Sequence, residues 1–487
     1  MGLRERTAAN LGWTAASQAL SVGLSTVVLI ILASILSPND FGIYAACNIV
    51  VTLSIQVTTM GLDYAVINSK NKWSTVVSTA GLLRLGLSGL AFVMIVLLSG
   101  PLSHFFNIQN LETPMIVIST SLIILAIAFA PQIELTKNLR FKELSIARVA
   151  SSVTWSGLSL TLAVLHSSFW SLIVAFVAAQ ALSALVMYFF SRQRLVIHDY
   201  DGIARNQLLR FGGITALGGL VASIQASADK IIVGSVNGSA SLGIYYAMSV
   251  YGITAPSWLT GIINTVMFPT YSMLTERPMA LRKAYADSLR FVSEFAAPVS
   301  LGLAGTSGLF ISILLGDQWT DGIMSLSLLS IAGFFMAMTS PAANVFISLG
   351  RPELIYQITL AVLVPEILVA TLAASQLGMT GVAATVMVFE CVKFLYVVHK
   401  AAKLTGMDRR ETANEIIPYL ASGAVVGAMT LVISQVWGES LPTLVLAIVA
   451  GAVIYLALGL VLSRGKLRDD IREILALLRN KQTVPRT

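Results

Sequence analysis

The chain is short of charge and of cysteine, and both shortages limit what it can be. Charged residues occupy 11% of the 487 positions, whereas hydrophobic residues occupy 56%. Soluble domains carry about 25% charged residues, so the composition excludes an ordinary soluble protein. The two cysteines, Cys47 and Cys391, both fall within apolar stretches. They predict neither a disulfide framework nor a metal site.

The sequence also lacks long polar segments. The gaps between its apolar stretches reach only about 20 residues, whereas a folded domain needs about 50 or more. Function must therefore lie in the membrane or at its surface, which favours a transporter or channel over an enzyme. No phosphate-binding loop is present, so we predict that the chain does not hydrolyse ATP. The four histidines do not form a cluster of metal ligands, and we predict a protein that is not an enzyme and has no metal and no cofactor. The net charge of +7 has no aromatic-basic groove beside it, so we predict no nucleic-acid partner.

What the chain does contain is about fourteen apolar segments, each long enough to cross the ~30 Å hydrocarbon core as a helix. We call them spans 1–14. They cover approximately residues 12–36, 41–66, 76–99, 114–131, 145–166, 168–190, 209–235, 242–268, 291–315, 322–349, 355–375, 379–399, 416–436 and 442–463.

Basic residues mark one side of the membrane. Most of the 31 Lys and Arg residues lie in the N-terminal head, the even-numbered gaps and the C-terminal tail. The odd-numbered gaps carry only acids, such as Asp40, Glu112 and Glu439. Short loops rich in Lys and Arg stay cytoplasmic, so we predict that both termini are cytoplasmic. The apolar residues of the tail, 464–487, recur at helical spacing among basic residues, which predicts an amphipathic helix on the inner leaflet.

The sequence repeats itself after 201 residues. This shift places Gly42-Ile43-Tyr44 on Gly243-Ile244-Tyr245, and span 1 on span 7. Six spans separate the copies, and an even number preserves orientation, so the repeats are parallel. We predict an all-α polytopic membrane protein with two six-helix lobes, residues 1–205 and 206–405. Two extra helices, spans 13 and 14, follow at 406–463.

Several short motifs resemble those of one transporter family, and they occur in the same order. They are Leu36–Tyr44, Leu135–Lys142, Asp229–Gly234, Leu242–Tyr245, Phe268-Pro269, Gly316–Trp319 and Leu349–Arg351. Together they resemble polysaccharide exporters of the multidrug/oligosaccharidyl-lipid/polysaccharide superfamily. Family members often carry arginine where this chain has Ser34 and Ser235.

This resemblance implies a Wzx-like flippase in the bacterial inner membrane. Such proteins move undecaprenyl-diphosphate-linked oligosaccharide units to the outer leaflet for exopolysaccharide, O-antigen or capsule assembly. A polysaccharide polymerase and other assembly proteins would then be partners. A cation-coupled multidrug-type exporter on the same fold is the alternative, and a membrane enzyme of polysaccharide assembly is a weaker one. The sequence leaves open whether H⁺ or Na⁺ is coupled to transport.

Charges inside the spans are candidate functional residues, because burying a charge in a bilayer costs about 2.5–3.5 kcal/mol on insertion scales. We predict three cations as substrate-binding residues and three acids as ion-coupling residues. The cations are Arg84, Lys230 and Lys393, and the acids are Asp229, Glu366 and Glu390.

Spacing predicts how some of these charges interact. Glu390 and Lys393 are three residues apart, so they share a helix face and can pair. Such a pair is either structural or a site where Glu390 exchanges a proton and Lys393 meets an anionic substrate. Asp229 and Lys230 are adjacent and point about 100° apart, so we predict that they do not pair.

The other two candidates lack a charged neighbour in sequence. The forked guanidinium of Arg84 suits a diphosphate; the alternative is a bond to loop carbonyls or to Asp63. Glu366 follows Pro365, which permits a kink, and is a candidate ion site.

Overall fold

The computed structural model describes residues 3–59, 61–69, 72–192, 200–462 and 468, and these residues form helices without any strand. Eight α-helices account for spans 1–6. They are α1 Leu3–Ile35, α2 Pro38–Thr59, α3 Leu62–Asn68, α4 Trp73–Phe105, α5 Glu112–Ile127, α6 Phe129–Lys137, α7 Phe141–His166 and α8 Trp170–Phe190.

Seven further α-helices account for the remaining spans. They are α9 Gly202–Ser249, α10 Ala255–Leu274, α11 Pro278–Phe310, α12 Ile323–Ser348, α13 Glu353–Thr405, α14 Arg409–Trp437 and α15 Leu441–Leu462. A π-helical turn, Val250–Thr254, joins α9 to α10. A second, Ile311–Leu315, and a 3₁₀ helix, Asp317–Gly322, join α11 to α12. Except for Arg468, the predicted tail helix lies outside the described residues.

Glycines divide the two longest helices where the sequence predicts short outer turns. Gly238 within α9 has φ 83°, and Gly378 within α13 has φ 63°. Only glycine adopts such angles without strain. Helix α9 therefore contains span 7 and the start of span 8, which continues through α10, and α13 contains spans 11 and 12. The break in α13 is at Gly378 and not at Pro365. The structure thus confirms an all-α polytopic membrane protein, and ten of the helices in its described part are long and apolar enough to cross a membrane.

The repeated Gly-Ile-Tyr blocks contact each other directly. A Cβ atom on Gly42 would lie 1.9 Å from the carbonyl oxygen of Ser239. One on Gly243 would lie 1.8 Å from the carbonyl oxygen of Pro38. Ser239 Oγ also donates a hydrogen bond to Asn39 Oδ1. Because backbones this close leave no room for a side chain, the contact explains why both copies have glycine there.

The chain forms two compact units. The first comprises Met1–Ala247 with Thr359–Thr385, and the second comprises Met248–Ile358 with Val386–Thr487. In the first unit α7 packs against α1 and α8, and α5 packs against α4 and α8. In the second unit α11 packs against α12 and α14. The lobe boundaries at 205 and 405 remain a prediction from the repeat.

The two extra helices are packed closely into the second unit. A Cβ atom on Gly305 of α11 would lie 2.2 Å from the carbonyl oxygen of Gly427 in α14. Arg282 Nη2 pairs with Glu411, and Arg290 Nη1 lies 3.7 Å from Glu415 Oε2. Helix α15 packs on α14, and Tyr455 donates a hydrogen bond to the carbonyl oxygen of Glu294 at 2.7 Å.

Candidate functional site

The six predicted charged residues fall into three groups. Arg84 pairs with Asp63, while Asp229, Lys230 and Glu366 lie around one tyrosine in the same unit. Glu390 and Lys393 belong to the second unit. Each group therefore has to be described by itself.

Arg84 is buried and paired, although its position in the sequence suggests a cation without a partner. Its Nη1 lies 3.3 Å from Asp63 Oδ1, and its guanidinium carbon lies 5.1 Å from the centre of the Phe129 ring. Asp63 is held on the short helix α3, which packs against α4. The side chain of Arg84 is only 6% exposed, against 30% for Asp63. The alternative interaction with Asp63 is thus the one the structure shows, and a role in diphosphate binding remains a prediction.

Asp229 and Lys230 form an ion pair, so the prediction that they do not pair is wrong. Lys230 Nζ lies 3.1 Å from Asp229 Oδ1 and also donates to the carbonyl oxygen of Ala226 at 3.1 Å. The two Cα–Cβ bonds do diverge along the helix. The four-carbon stem of lysine nevertheless bends back toward the preceding turn, which carries Nζ to the carboxylate.

Tyr245 links this pair to Glu366, the third charged residue of the group. Its hydroxyl donates a hydrogen bond to Asp229 Oδ2 at 3.1 Å, and its ring is fully buried. Glu366, also buried, is close enough to Tyr245 for its charge to act on the tyrosine hydroxyl. Asn237 Nδ2 holds span 11 beside span 7 by donating to the carbonyl oxygen of Ala374 at 3.1 Å. Two predicted ion-coupling residues, Asp229 and Glu366, therefore share one buried polar cluster.

Glu390 and Lys393 form the ion pair that their spacing predicts. Lys393 Nζ contacts Glu390 Oε1, and both side chains are largely buried. The second oxygen, Oε2, has no hydrogen-bond partner among the described residues. The pair is thus the predicted one, and a role for Glu390 in proton exchange remains a prediction.

Sequence reasoning missed four charged or polar residues of these helices. Tyr245 lies in the repeated block, and its position in the sequence does not indicate that its hydroxyl bonds to Asp229. The pair Arg290–Glu415 joins helices far apart in the chain, so no local spacing indicates it. Arg148 lies within span 5, two turns into α7, and could have been found from its position alone.

The second unit also has a surface cavity. A cavity of about 430 Å³ lies between the end of α13 and the start of α14. Its walls are mainly apolar, with Phe394, Val398, Ile416 and Leu420 among them. None of the six predicted residues lines it.

Comparison with known proteins gives a family and a fold. Residues 31–324 match the family described as "Polysaccharide biosynthesis protein". The chain is 23% identical over 390 residues to the lipopolysaccharide biosynthesis protein WzxC of Escherichia coli strain K12, covering 78% of each chain. It is 24% identical over 488 residues to the succinoglycan biosynthesis transport protein ExoT of Rhizobium meliloti strain 1021, covering 94% of each. It also matches the teichuronic acid biosynthesis protein TuaB of Bacillus subtilis strain 168, with 22% identity over 62% of each chain.

Solved structures show the same fold at low sequence identity. The lipid II flippase MurJ in an inward closed conformation superposes with a TM-score of 0.72 at 12% identity, covering 92% of this chain and 98% of MurJ. An inward-facing multidrug resistance MATE family transporter of the MOP superfamily gives 0.60 at 15% identity, covering 80% and 96%.

Proposed function

The chain belongs to the polysaccharide biosynthesis protein family, and from that premise we propose that it is a flippase for lipid-linked oligosaccharides. Its substrate would be an undecaprenyl-diphosphate-linked repeat unit, moved from the cytoplasmic to the outer leaflet. The product would feed exopolysaccharide, O-antigen or capsule assembly, with a polysaccharide polymerase among the partners.

One combination of observations carries the proposal: a family named for polysaccharide biosynthesis, and a chain of spans with no soluble catalytic domain. The matched relatives are named for making three different polysaccharides, and one of them is named as a transport protein. A membrane-spanning chain of this kind would contribute most directly to polysaccharide biosynthesis by moving a lipid-linked intermediate across the bilayer. The fold shared with a lipid II flippase supports the same conclusion.

The charge pattern supports an orientation. We propose that the protein lies in the bacterial inner membrane with both termini in the cytoplasm, because Lys and Arg cluster in the even-numbered gaps. The sugar and diphosphate need a hydrated, cationic path, while the polyprenyl tail stays in lipid. Alternating access would expose that path first to the cytoplasm and then to the outer side.

Ion coupling is part of the proposal. Glu390 would exchange a proton or Na⁺ as its contact with Lys393 opens and closes. Asp229 and Glu366, which share a cluster with Tyr245, would form a second coupling site. In both places a buried carboxylate lies next to a polar or charged partner. Movement of a helix would separate the two and so change the charge around the carboxylate.

The fold supports one rival, a cation-coupled exporter of small molecules, because a multidrug transporter also superposes on this chain. Such a protein would bind cationic amphiphiles and would not need a diphosphate group on its substrate. The two functions can be separated by offering both kinds of substrate.

The test is reconstitution of the purified protein into vesicles. Undecaprenyl-diphosphate carrying a labelled oligosaccharide is placed in both leaflets, and its exposure is followed with a membrane-impermeant reagent that destroys the label. We expect the label in the inner leaflet to become accessible in vesicles with protein and to stay protected without it. Transport of a cationic dye without movement of the lipid-linked sugar would establish the rival function instead.

A further inference from the structure

Arg148 differs from the three cations predicted to bind substrate. Arg84, Lys230 and Lys393 each pair with a carboxylate. For Arg148 no ion pair is present among the described residues, and its Nη1 donates only a hydrogen bond of 3.4 Å to Ser17 Oγ of α1. Ser17 Oγ in turn donates to Ser145 Oγ at 3.1 Å. Its charge is therefore available to a ligand.

The exposed side chain of Arg148 does not point along the apolar, lipid-facing stripe of its helix. That stripe includes Ile146, Val153 and Val164, which are 37%, 53% and 70% exposed. At 3.6 residues per turn, all three point about 140–160° away from Arg148. An arginine that simply reached the membrane surface from the lipid side would lie on that stripe. Arg148 is exposed on the opposite face of the helix, toward α1.

Polar and aromatic groups continue along the same face. Ser152 and Trp155 lie within about 40° of Arg148 around the helix axis. The Trp155 and Asn48 side chains both lie beside the Tyr44 hydroxyl of α2. Hydroxyl, amide and indole groups beside a guanidinium suit a ligand that carries both phosphate and sugar. We call Arg148, Ser152 and Trp155 the α7 polar face.

We propose that Arg148 binds the diphosphate of the substrate, with the α7 polar face beside the first sugars. This rests on the proposed function and names the residue that contacts the charged group. The guanidinium offers up to five donors in a planar fork that matches phosphate oxygens in a bidentate way. It lies about 10 Å along α7 from Phe141, near the end that the charge pattern places at the cytoplasm, where the diphosphate enters.

The experiment measures binding separately from transport. The purified full-length protein in detergent is titrated with undecaprenyl diphosphate, and binding is followed by tryptophan fluorescence. Arg148→Gln should weaken binding by about tenfold or more, because a charge-assisted bond to phosphate is lost. Arg148→Lys should recover part of it. Ser152→Asp, one helical turn away, should weaken binding similarly by neutralising the arginine without removing it. Arg351→Gln, which removes an exposed cation elsewhere, should bind like the wild type.

Undecaprenol, which lacks the diphosphate, should bind the wild type and Arg148→Gln equally. Unchanged affinity for undecaprenyl diphosphate in both Arg148→Gln and Ser152→Asp would overturn the proposal. So would equal weakening for undecaprenol and its diphosphate, since the loss would then not concern phosphate. This outcome can be separated from that of the proposed function. If the wild-type protein fails to flip the lipid-linked unit, the proposed function is wrong. If it flips the unit normally and the Arg148 variants have no effect, only the proposed site is wrong.

Discussion

Individual charges in the membrane are stabilised here by near neighbours. Arg84 has Asp63, Lys230 has Asp229, and Lys393 has Glu390. Removing one member of a buried pair leaves the other uncompensated, which costs about 3–5 kcal/mol when both are fully buried. Variants at these positions therefore change stability as well as any binding, and experiments must separate the two effects.

For Arg84 the pairing leads to a specific expectation. Arg84→Ala should destabilise the protein by about 2–3 kcal/mol, below the full range because Asp63 is partly exposed. Asp63→Asn in the same chain should recover much of the stability, because no lone carboxylate remains. Thermal unfolding of the purified proteins measures both effects. If the double variant is no more stable than Arg84→Ala, the ion pair is not what holds Arg84 in place.

The same double variant also tests substrate binding. We expect it to remain slow in the vesicle assay at equal protein amounts, because the guanidinium is still absent. Full recovery of transport would show that Arg84 serves only the structure.

Glu390 allows a sharper test of coupling. Wild-type transport should respond to an imposed pH gradient, whereas Glu390→Gln, which cannot exchange a proton, should transport slowly and ignore the gradient. Glu353→Gln, an exposed acid on the same helix, is the control and should behave like the wild type. A full gradient response in Glu390→Gln would leave Glu390 as the partner in a structural pair.

At the scale of elements, the packing of α14 against α11 holds the two extra helices in the second unit. Their contact depends on glycine, because the backbones at Gly305 and Gly427 leave no space for a Cβ atom. Gly427→Leu should therefore push the helices apart and destabilise the protein by about 1–3 kcal/mol or more, as overpacking does.

Gly438→Ala provides a contrast for this variant, since a Cβ atom there meets no neighbour although φ is positive. Gly438→Ala should lower the stability of the protein less than Gly427→Leu does in the same unfolding measurement. Equal unfolding temperatures for wild type and Gly427→Leu would mean that α14 is not locked onto α11.

The elements were largely predictable, and the contacts between them were not. The helices, the outer turns at Gly238 and Gly378, and the pair Glu390–Lys393 follow from hydrophobicity and local spacing. The pair Arg84–Asp63 joins residues 21 apart, and Arg290–Glu415 joins distant helices, so only the packed structure reveals them. The error at Asp229–Lys230 has a different cause, because helix geometry fixes the Cβ direction but not where a long side chain ends.

At the scale of the whole molecule, the orientation in the membrane can be measured with single cysteines. In a chain without Cys47 and Cys391, cysteines at Gln109 and Glu439 should react with an impermeant reagent added outside intact cells. Cysteines at Arg351 and Lys403 should react only after permeabilisation. All four positions are exposed, whereas Thr405 in the same loop is buried and would not report on sidedness. Outside labelling at Arg351 would contradict the orientation.

The contact between Gly42 and Gly243 has a consequence for the history of the chain. Each glycine belongs to one copy of the repeat, and each approaches the backbone of the other copy. When equivalent residues meet in this way, two separate copies of a half-length protein could have met identically across a two-fold axis. Fusion of two such genes would keep the contact intact, and afterwards neither half could exchange its glycine without disturbing the other.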